Sequence, residues 1–196
     1  VSMATTEIKQ PSFAATTPVS VRKVGIKSKD AQALADYYKS VVGLSEVARR
    51  PGVIVLGAGG DGFFEIEDVK SLRPDDPRSA GLFHTAFLLP GRADLARWTQ
   101  HAIDRKIAID GASDHLVSEA VYLTDPEGNG IEIYADRDRS AWGWDGNSVR
   151  MATDALDFRN LMATHQPKSG DWQGAPDGTI IGHVHLRVGD AKEAEA

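Results

Sequence analysis

The chain of 196 residues is long enough for one large domain, or for one complete small domain with part of another. Hydrophobic residues make up 41% and charged residues 26% of it, as in an ordinary folded globular protein. The net charge of −6 and the lack of a Lys/Arg run argue against a nucleic-acid or anionic-lipid surface, so we expect a small-molecule partner. Because there is no cysteine, disulfides and thiolate metal sites are excluded, and any metal must be held by His, Asp or Glu.

Neither a membrane span nor a secretion signal is indicated. No apolar run approaches the roughly 18 residues of a membrane-spanning helix. The first residues lack a basic segment followed by an apolar one, and we expect a cytoplasmic protein. Residues 1–20 are rich in Thr, Ser, Ala and Pro without periodicity, so we interpret them as a flexible leader.

The first folded unit is predicted to begin near Val21. Alternating residues predict a strand, and the next segment carries Asp30 as a helix cap and apolar residues at helical spacing up to Gly43. Three short strands are then expected, separated by turn-forming Pro and Gly residues, around 45–48, 53–56 and 63–67. This order predicts a βαβββ unit.

A glycine-rich segment lies between the last two of these strands. Residues 57–62 read GAGGDG and fit the dinucleotide-binding pattern G-x-G-x-x-G. That motif requires a helix next, whose N-terminus meets the pyrophosphate. Here FFEIE follows with strand alternation. We therefore predict a hairpin turn and no nucleotide site.

The same order of elements then recurs, and this repeat is the most informative feature of the sequence. Residues 81–90 predict a strand, and residues 91–106 predict a helix with one apolar stripe formed by Leu95, Trp98, Ala102 and Ile103. Two strands follow around the turn 125–130. The fold class expected is α+β, with paired βαβββ modules that have curved antiparallel sheets and helices outside.

A third copy of the unit opens at Ile181 with IGHVHLRVGDAKEAEA. Aligning the openings of the repeats places Lys23, His84 and His183 in register. Asp30 and Asp190 then follow the first and the last of these as predicted helix caps.

The third copy stops in its first helical turns. A helix with so little chain cannot bury its apolar face, so we expect a longer parent protein that continues the unit. An isolated strand exposes unpaired amides, so we expect strand 180–188 to pair with a missing segment or a second chain, which favours a homodimer or larger assembly. The predicted boundaries are an N-terminal domain of two modules over 21–136, a connector over 137–178 and the start of a third module over 179–196.

The connector is rich in Gly, Pro, Asp and Lys and contains Trp142, Trp144 and Trp172. We expect these tryptophans to hold the connector on the domain surface. Part of it, ATDALDFRNLMATH, is compatible with a short helix.

Strand alternation separates the polar residues of each repeat from the apolar residues that face the helices. In the second repeat, His84 faces away from Phe83 and Phe87. The corresponding polar face carries Glu132 in its last strand and His183 in the third repeat. Two such sheets placed face to face would assemble two His and one carboxylate, the set that holds Fe(II) while leaving open positions for substrate and oxygen.

Each of these residues has an ordinary structural explanation when taken alone, because a strand His is usually hydrogen-bonded structure and a Glu on a polar face is usually solvated. The equivalent repeat positions of His84 and His183, with Glu132 on the corresponding face, favour a shared metal site. The first repeat differs, since Lys23 stands at the His position. Glu65 is therefore expected to form a structural ion pair with Lys23.

Three stretches, GLFHTAFLLPGRADLA, GASDHLVSEAVYLTDPEGNGIEIYADR and IGHVHLRVGDAKEAEA, resemble the CatE-type catechol 2,3-dioxygenases. These enzymes belong to the glyoxalase, bleomycin-resistance and extradiol-dioxygenase superfamily, also called the vicinal oxygen chelate superfamily. The resemblance covers the chain from about Val21 onward and implies a divalent metal bound through the first and last strands of the modules. That implication maps onto His84, Glu132 and His183. Members typically have four modules, so most of modules three and four is expected to be absent here.

The resemblance implies that Fe(II), with Mn, Ni or Zn as alternatives, chelates both oxygens of a small catechol-like aromatic and activates O2 beside it. Candidates for acid–base work are His115, His185 and Tyr134. The two His residues rank first because a neutral imidazole with a pKa of about 6.5 could take a catechol proton near neutral pH, although both could equally be structural.

Two other functions stay open. One is a glyoxalase-like lyase or isomerase, in which Ni or Zn binds an enediolate and a carboxylate moves protons. The other is a metal-free protein that sequesters a drug or small aromatic. The presence of both His residues and the Glu argues against the latter.

Overall fold

The computed structural model describes residues 19–76, 78–164 and 171–194. Nearly all of the predicted leader lies outside the described residues. The first unit consists of β1 (Val24–Ser28), α1 (Ala31–Val41), β2 (Ser45–Arg50), β3 (Val53–Ala58) and β4 (Asp61–Asp68). Its sheet has the order β1-β4-β3-β2, in which β1 and β4 are parallel and the other neighbours are antiparallel. The predicted βαβββ order is confirmed.

The second unit repeats this arrangement with β5 (Gly81–Leu88), α2 (Arg92–Arg105), β6 (Gly111–Asp114), β7 (Ser118–Thr124) and β8 (Gly130–Asp136). The first and last strands are again parallel, and β6, β7 and β8 form an antiparallel meander. The sequence prediction missed β6. Its residues, GASD, have no apolar alternation, and Gly and Asp are depleted in strands, so only pairing with β7 reveals it.

The remaining described residues form small elements and one long strand. They are a 3-10 helix (Arg139–Ala141), β9 (Trp144–Asp145), β10 (Ser148–Val149), β11 (Asp154–Ala155), α3 (Phe158–Met162), β12 (Ile180–Arg187) and α4 (Ala191–Ala194). The short helix predicted in the connector is thus present as α3. None of the helices among the described residues has the length and apolarity needed to cross a membrane.

β12 extends the second sheet, whose order is β11-β6-β7-β8-β5-β12. It pairs antiparallel with β5 of its own chain. The prediction that this strand pairs with a missing segment or a second chain was therefore wrong. The argument for a dimer rested on an unpaired strand and no longer holds, because β5 of the same chain forms the backbone hydrogen bonds with β12.

The helix-facing sides of both sheets share one hydrophobic core. Tyr38 of α1, Phe64 of β4 and Phe87 of β5 meet there, with ring centroids 4.5 Å apart for Tyr38 and Phe64 and 5.4 Å apart for Phe64 and Phe87. Trp98 of α2 is fully buried, and its indole N–H donates to the Val41 carbonyl at 2.9 Å. Because most apolar side chains turn toward this core, polar residues can lie on the opposite face, which in the second sheet also carries a smaller apolar cluster around Ala120.

Helix caps and the glycine turn agree with prediction. Asp30 accepts from the backbone N–H of Ala33 at 3.0 Å, and Asp190 accepts from that of Lys192 at 2.8 Å. The glycine-rich segment forms the β3–β4 hairpin, in which Gly59 and Gly60 have φ values of 59° and 87°. Such positive values at both central residues favour glycine in a tight hairpin turn. The predicted hairpin is confirmed.

One residue of the predicted α2 stripe lies elsewhere. Ile103 is 57% exposed, whereas Leu95, Trp98 and Ala102 are buried. Ile103 lies at the margin of the buried face, one position beyond Ala102, and the helix ends at Arg105. The prediction that Ile103 shares one apolar stripe with these buried residues was wrong.

Candidate metal centre

Three polar side chains converge on the open face of the second sheet. Nε2 of His84 lies 2.9 Å from Oε2 of Glu132, and Nε2 of His183 lies 3.1 Å from the same oxygen. The two Nε2 atoms are 3.4 Å apart, and ligand atoms of the three residues all lie within 4.8 Å of one another. The structure therefore brings together the residues that we predicted as metal ligands.

The three residues come from adjacent strands of one sheet. Ala86 of β5 pairs with Glu132 of β8 on one side and with His183 of β12 on the other. His84 precedes Ala86 by two residues and shares its face, and neighbouring strands are only about 4.8 Å apart, so the side chains reach one point. The prediction that two sheets would meet face to face was wrong, because β12 continues the second sheet.

A β-bulge in β12 turns His183 toward this face. Ile181 pairs with Phe87 and His183 pairs with Ala86. Two residues of β12, Gly182 and His183, therefore stand opposite the single residue Ala86 of β5. Ile181 is buried in the core. Regular alternation would have placed His183 on that same core side, and the extra residue reverses its direction.

Glu132 is ionised in this environment. Its side chain is 4% exposed and that of His84 is 8% exposed, whereas that of His183 is 45% exposed. Burial alone would raise the pKa of Glu132, but the hydrogen bonds and positive charges of His183 and His84 outweigh it and lower the pKa to about 2. The cluster thus combines a buried carboxylate with two imidazoles and is open to solvent on the His183 side.

A hydroxyl–imidazole pair lies next to the cluster. Tyr122 of β7 is opposite Glu132 in the sheet register, and its hydroxyl lies 2.7 Å from Nε2 of His115. Nδ1 of His115 lies 2.7 Å from the carbonyl oxygen of Ala152, which can only accept. In the neutral ring, Nδ1 therefore carries the proton and Nε2 accepts from Tyr122. Burial, and then the charge of Glu132, raises the pKa of Tyr122 above its usual range.

His115 was among the predicted site residues, whereas Tyr122 was missed. Alternation along β7 places Tyr122 on the same side as Ala120, which packs on the face opposite the main core. That signal was present in the sequence. Connecting it to Glu132 required the pairing of β7 with β8.

His185, another predicted acid–base residue, stands directly opposite His84 in the β5–β12 register. The two ring centroids are 4.9 Å apart and the rings are nearly perpendicular, at 89°. Burial, followed by the neighbouring His84 and His183, lowers the pKa of His185 and favours its neutral form. It borders the cluster without joining it.

Phe83 does not face the helices as predicted. It is 51% exposed, and its ring centroid lies 4.9 Å from that of His185. The register passes from the His185–His84 pair to the Leu186–Leu82 pair and leaves Phe83 unpaired. This second bulge interrupts the alternation that the prediction had assumed.

Tyr134, the third predicted acid–base residue, is buried behind the cluster. Its hydroxyl lies 3.4 Å from Nδ1 of His183, the ring nitrogen that points away from Glu132. Burial raises the pKa of Tyr134 above its usual range. Asp136 lies farther along the same strand face, and burial raises its pKa to about 6. The nearby His183 opposes this rise in pKa, and the charge of Glu132 adds to it.

Residues 21–133 match the family described as the Glyoxalase/Bleomycin resistance protein/Dioxygenase superfamily. The chain belongs to this superfamily. A catechol-2,3-dioxygenase of Bacillus subtilis (strain 168) is 39% identical to it over 186 residues, which make up 92% of this chain and 62% of that protein. The chain therefore spans less than two thirds of the length of this relative.

Solved structures of the superfamily have the same fold. A glyoxalase/dioxygenase from Nostoc punctiforme matches with a TM-score of 0.51 and 24% identity, over 61% of this chain and 92% of that one. A glyoxalase/bleomycin resistance protein/dioxygenase from Alicyclobacillus acidocaldarius matches with a TM-score of 0.50 and 22% identity, over 64% of this chain and 98% of that one. The predicted superfamily and the α+β class are confirmed, and these likenesses concern the fold alone.

In the first unit of this superfamily member, the positions equivalent to the cluster hold ion pairs. Lys23 and Glu65 occupy the register positions of His84 and Glu132. Nζ of Lys23 lies 2.7 Å from Oε1 of Glu65, and Nη2 of Arg50 lies 2.7 Å from Oε2. Hydrogen bonds from Arg50 and then Lys23 lower the pKa of Glu65. The predicted Lys23–Glu65 ion pair is confirmed.

Proposed function

We propose that this protein is a metal-dependent ring-cleaving oxygenase of the extradiol, catechol 2,3-dioxygenase-like type, acting on a small aromatic diol and O2. The observation that carries the proposal is the convergence of Nε2 of His84 and Nε2 of His183 on Oε2 of Glu132. The 39% identity to a catechol-2,3-dioxygenase, over 92% of this chain, supports the same reaction class.

The donor set suits Fe(II). Two imidazole nitrogens and one carboxylate oxygen are the ligands of non-haem iron(II) oxygenases, which keep positions open for substrate and O2. We propose His84, Glu132 and His183 as these ligands, with the exposed side of His183 facing the incoming substrate. When bound, Fe(II) would supply a Lewis-acidic, redox-active centre at which a diol and O2 react. Manganese, nickel and zinc take the same donors and are the alternatives to Fe(II).

Proton movement in this proposal belongs to side chains next to the ligands. The Tyr122 hydroxyl is directed at Nε2 of His115, and the Ala152 carbonyl fixes the opposite side of that ring. A proton from the substrate can therefore pass by way of the Tyr122 oxygen to Nε2 of His115. His185, whose pKa is lowered by burial so that the neutral form is favoured, offers a second acceptor near His84. We assign the acid–base work to these two His residues.

We propose the same domain limits as the sequence indicated. Residues 21–136 form a domain of two βαβββ modules, residues 137–178 form a connector, and a third module starts at 179. The connector is held to the domain at β11, which pairs with β6 through Asp154 and Asp114. It is also held by Arg92 of α2, whose Nη2 donates to Oδ1 of Asn160 at 2.8 Å.

Metal analysis under anaerobic conditions tests this function. The chain is purified without oxygen, its metals are quantified, and O2 uptake is measured with catechol as the probe. Stoichiometric iron with catechol-dependent O2 uptake supports the proposal. Nickel or zinc with isomerase activity on a glutathione hemithioacetal would replace it with the lyase alternative. A chain that retains no metal after incubation with each of these ions would leave only a binding role for this fold.

A further inference from the structure

His183 is the least enclosed of the three proposed ligands. Its side chain is nearly half exposed, whereas those of His84 and Glu132 are almost fully buried. It also lies on β12, an edge strand of the second sheet. A ring in such a place has several accessible rotamers, so a contact on its far side decides whether Nε2 stays directed at Glu132.

Tyr134 makes that contact. Its hydroxyl lies 3.4 Å from Nδ1 of His183, while Nε2 of the same ring lies 3.1 Å from Glu132. The two rings have centroids 5.2 Å apart and an interplanar angle of 62°. Tyr134 itself is anchored by packing against Ala86, Leu88 and Ala120. A buried phenol therefore holds an exposed imidazole through the nitrogen that faces away from the other ligands.

Gly182 makes room for this contact. A Cβ atom at Gly182 would lie 1.8 Å from the Tyr134 hydroxyl oxygen and 2.6 Å from its ring carbon Cζ. Any side chain at this position would displace the hydroxyl. Gly182 belongs to the bulge that turns His183 toward the cluster, and it is also the residue of β12 against which the Tyr134 hydroxyl lies.

We propose that Tyr134 is a positioning residue for His183 and that Gly182 provides the space this contact requires. The inference rests on the proposed metal site, since it assigns Nε2 of His183 to the metal. A neutral imidazole that binds metal through Nε2 carries its proton on Nδ1, which then donates to the Tyr134 oxygen. Without metal, the same hydroxyl can donate to Nδ1, because a phenol is both donor and acceptor. Tyr134 therefore acts through His183, in contrast to the acid–base role predicted from sequence.

Zn(II) is the probe for a test that does not depend on turnover. Tyr134→Phe removes only the hydroxyl, and we expect its Zn(II) affinity to fall by about 10- to 100-fold in competition with a chromophoric chelator. In the Zn(II)-loaded wild-type protein, long-range ¹H–¹⁵N NMR should show a proton on Nδ1 of His183 that exchanges slowly with solvent. In Tyr134→Phe the same proton should exchange rapidly. Gly182→Ala should shift both measurements in the same direction.

The matched control is Tyr37→Phe, which removes a hydroxyl that donates to the Thr124 carbonyl at 3.2 Å, away from the cluster. It should leave Zn(II) affinity and the His183 signal unchanged. Equal affinity and equal proton protection in Tyr134→Phe and wild type would overturn the positioning role while leaving the metal site standing. Failure of the wild-type protein to bind Zn(II) would instead overturn the proposed function. Should Tyr134→Phe not fold, rapid exchange of the Nδ1 proton in the wild-type protein would by itself refute the contact.

Discussion

Nε2 of His84 lies 2.9 Å from Oε2 of Glu132, and both side chains are almost completely buried. A carboxylate enclosed in this way remains ionised only where positive charge compensates it. His84 and His183 direct their Nε2 atoms at this carboxylate, and a divalent metal held by all three residues would supply positive charge in the proposed holoenzyme. Under the proposed function this carboxylate is the charge that balances a bound cation, and the predictions below test that arrangement.

Replacing Glu132 with Gln preserves the shape of the side chain but removes the negative charge. We expect iron content and catechol cleavage to collapse while the fold persists, because an uncharged amide no longer balances the cation. Bound iron, O2 uptake and thermal melting are measured together. Lys23→Gln is the control, because it alters the equivalent position of the first unit, where an exposed ion pair contributes at most about 1 kcal/mol. Full iron occupancy with normal turnover in Glu132→Gln would mean that another carboxylate binds the metal.

Replacing His115 with Gln separates chemistry from metal binding. Because the ring nitrogens of His115 are hydrogen-bonded to Ala152 and Tyr122 and His115 is not among the proposed ligands, iron content should be retained. Loss of the proton acceptor should lower kcat by about 10²- to 10⁴-fold. His101→Gln is the matched control, since His101 is hydrogen-bonded to the Ser40 carbonyl away from the cluster. Unchanged kcat in the His115 variant would remove that residue from the mechanism.

Asp136 predicts a pH-dependent stability. Burial raises its pKa to about 6 from the ordinary 3.8, so the protonated form is favoured in the folded state. Its contribution to stability is present below the unfolded pKa and is lost as the pH rises through about 6. Asn imitates the protonated acid at every pH. The difference in melting temperature between the metal-free Asp136→Asn variant and wild type should therefore increase in favour of the variant from about pH 4 to about pH 8. A difference that is constant across this range would contradict the assignment.

Glu119 of β7 anchors the start of α2 through an ion pair with Arg92. Its buried carboxylate accepts from Nη2 of Arg92 at 3.0 Å and from Nη2 of Arg137 at 3.1 Å. Glu119→Gln leaves two partly buried guanidinium groups without this charge, so we expect a loss of about 3 kcal/mol in the free energy of unfolding. Urea unfolding measures it. Glu46→Gln, which loosens an exposed pair with Arg49, should cost less than about 1 kcal/mol, and a similar loss in the two variants would show that burial is irrelevant here.

The three proposed ligands could be found from sequence because two regularities sufficed. The βαβββ repeat aligned His84 with His183, and strand alternation placed Glu132 on the matching face. The repeat is visible in the order of elements along the chain, and the alternation follows from the backbone of each strand. Neither requires knowledge of how the elements pack together. The same reasoning identified Lys23 and Glu65 as an ion pair at the equivalent place in the first unit.

The features that were missed depend on contacts between strands. The bulges at Gly182 and Phe83 follow from how β12 pairs with β5, and neither leaves a mark in local periodicity. Alternation continued from the buried Ile181 would turn His183 toward the core, and the bulge at Gly182 reverses that direction. The sequence prediction placed His183 on the polar face without including this bulge. Tyr122 became a site residue only through the pairing of β7 with β8.

The placement of His183 on β12 has a consequence for the topology of the chain. Glu132 and His183 are 51 residues apart in sequence, and the connector lies between them. In a protein without cysteine, a metal shared by these residues would act as a reversible cross-link that closes the connector into a loop. By analogy with a disulfide, closing a loop of this length removes chain entropy worth on the order of 4 kcal/mol from states in which β12 has separated from β5. Loading and removal of the metal would then decide how often this edge strand opens.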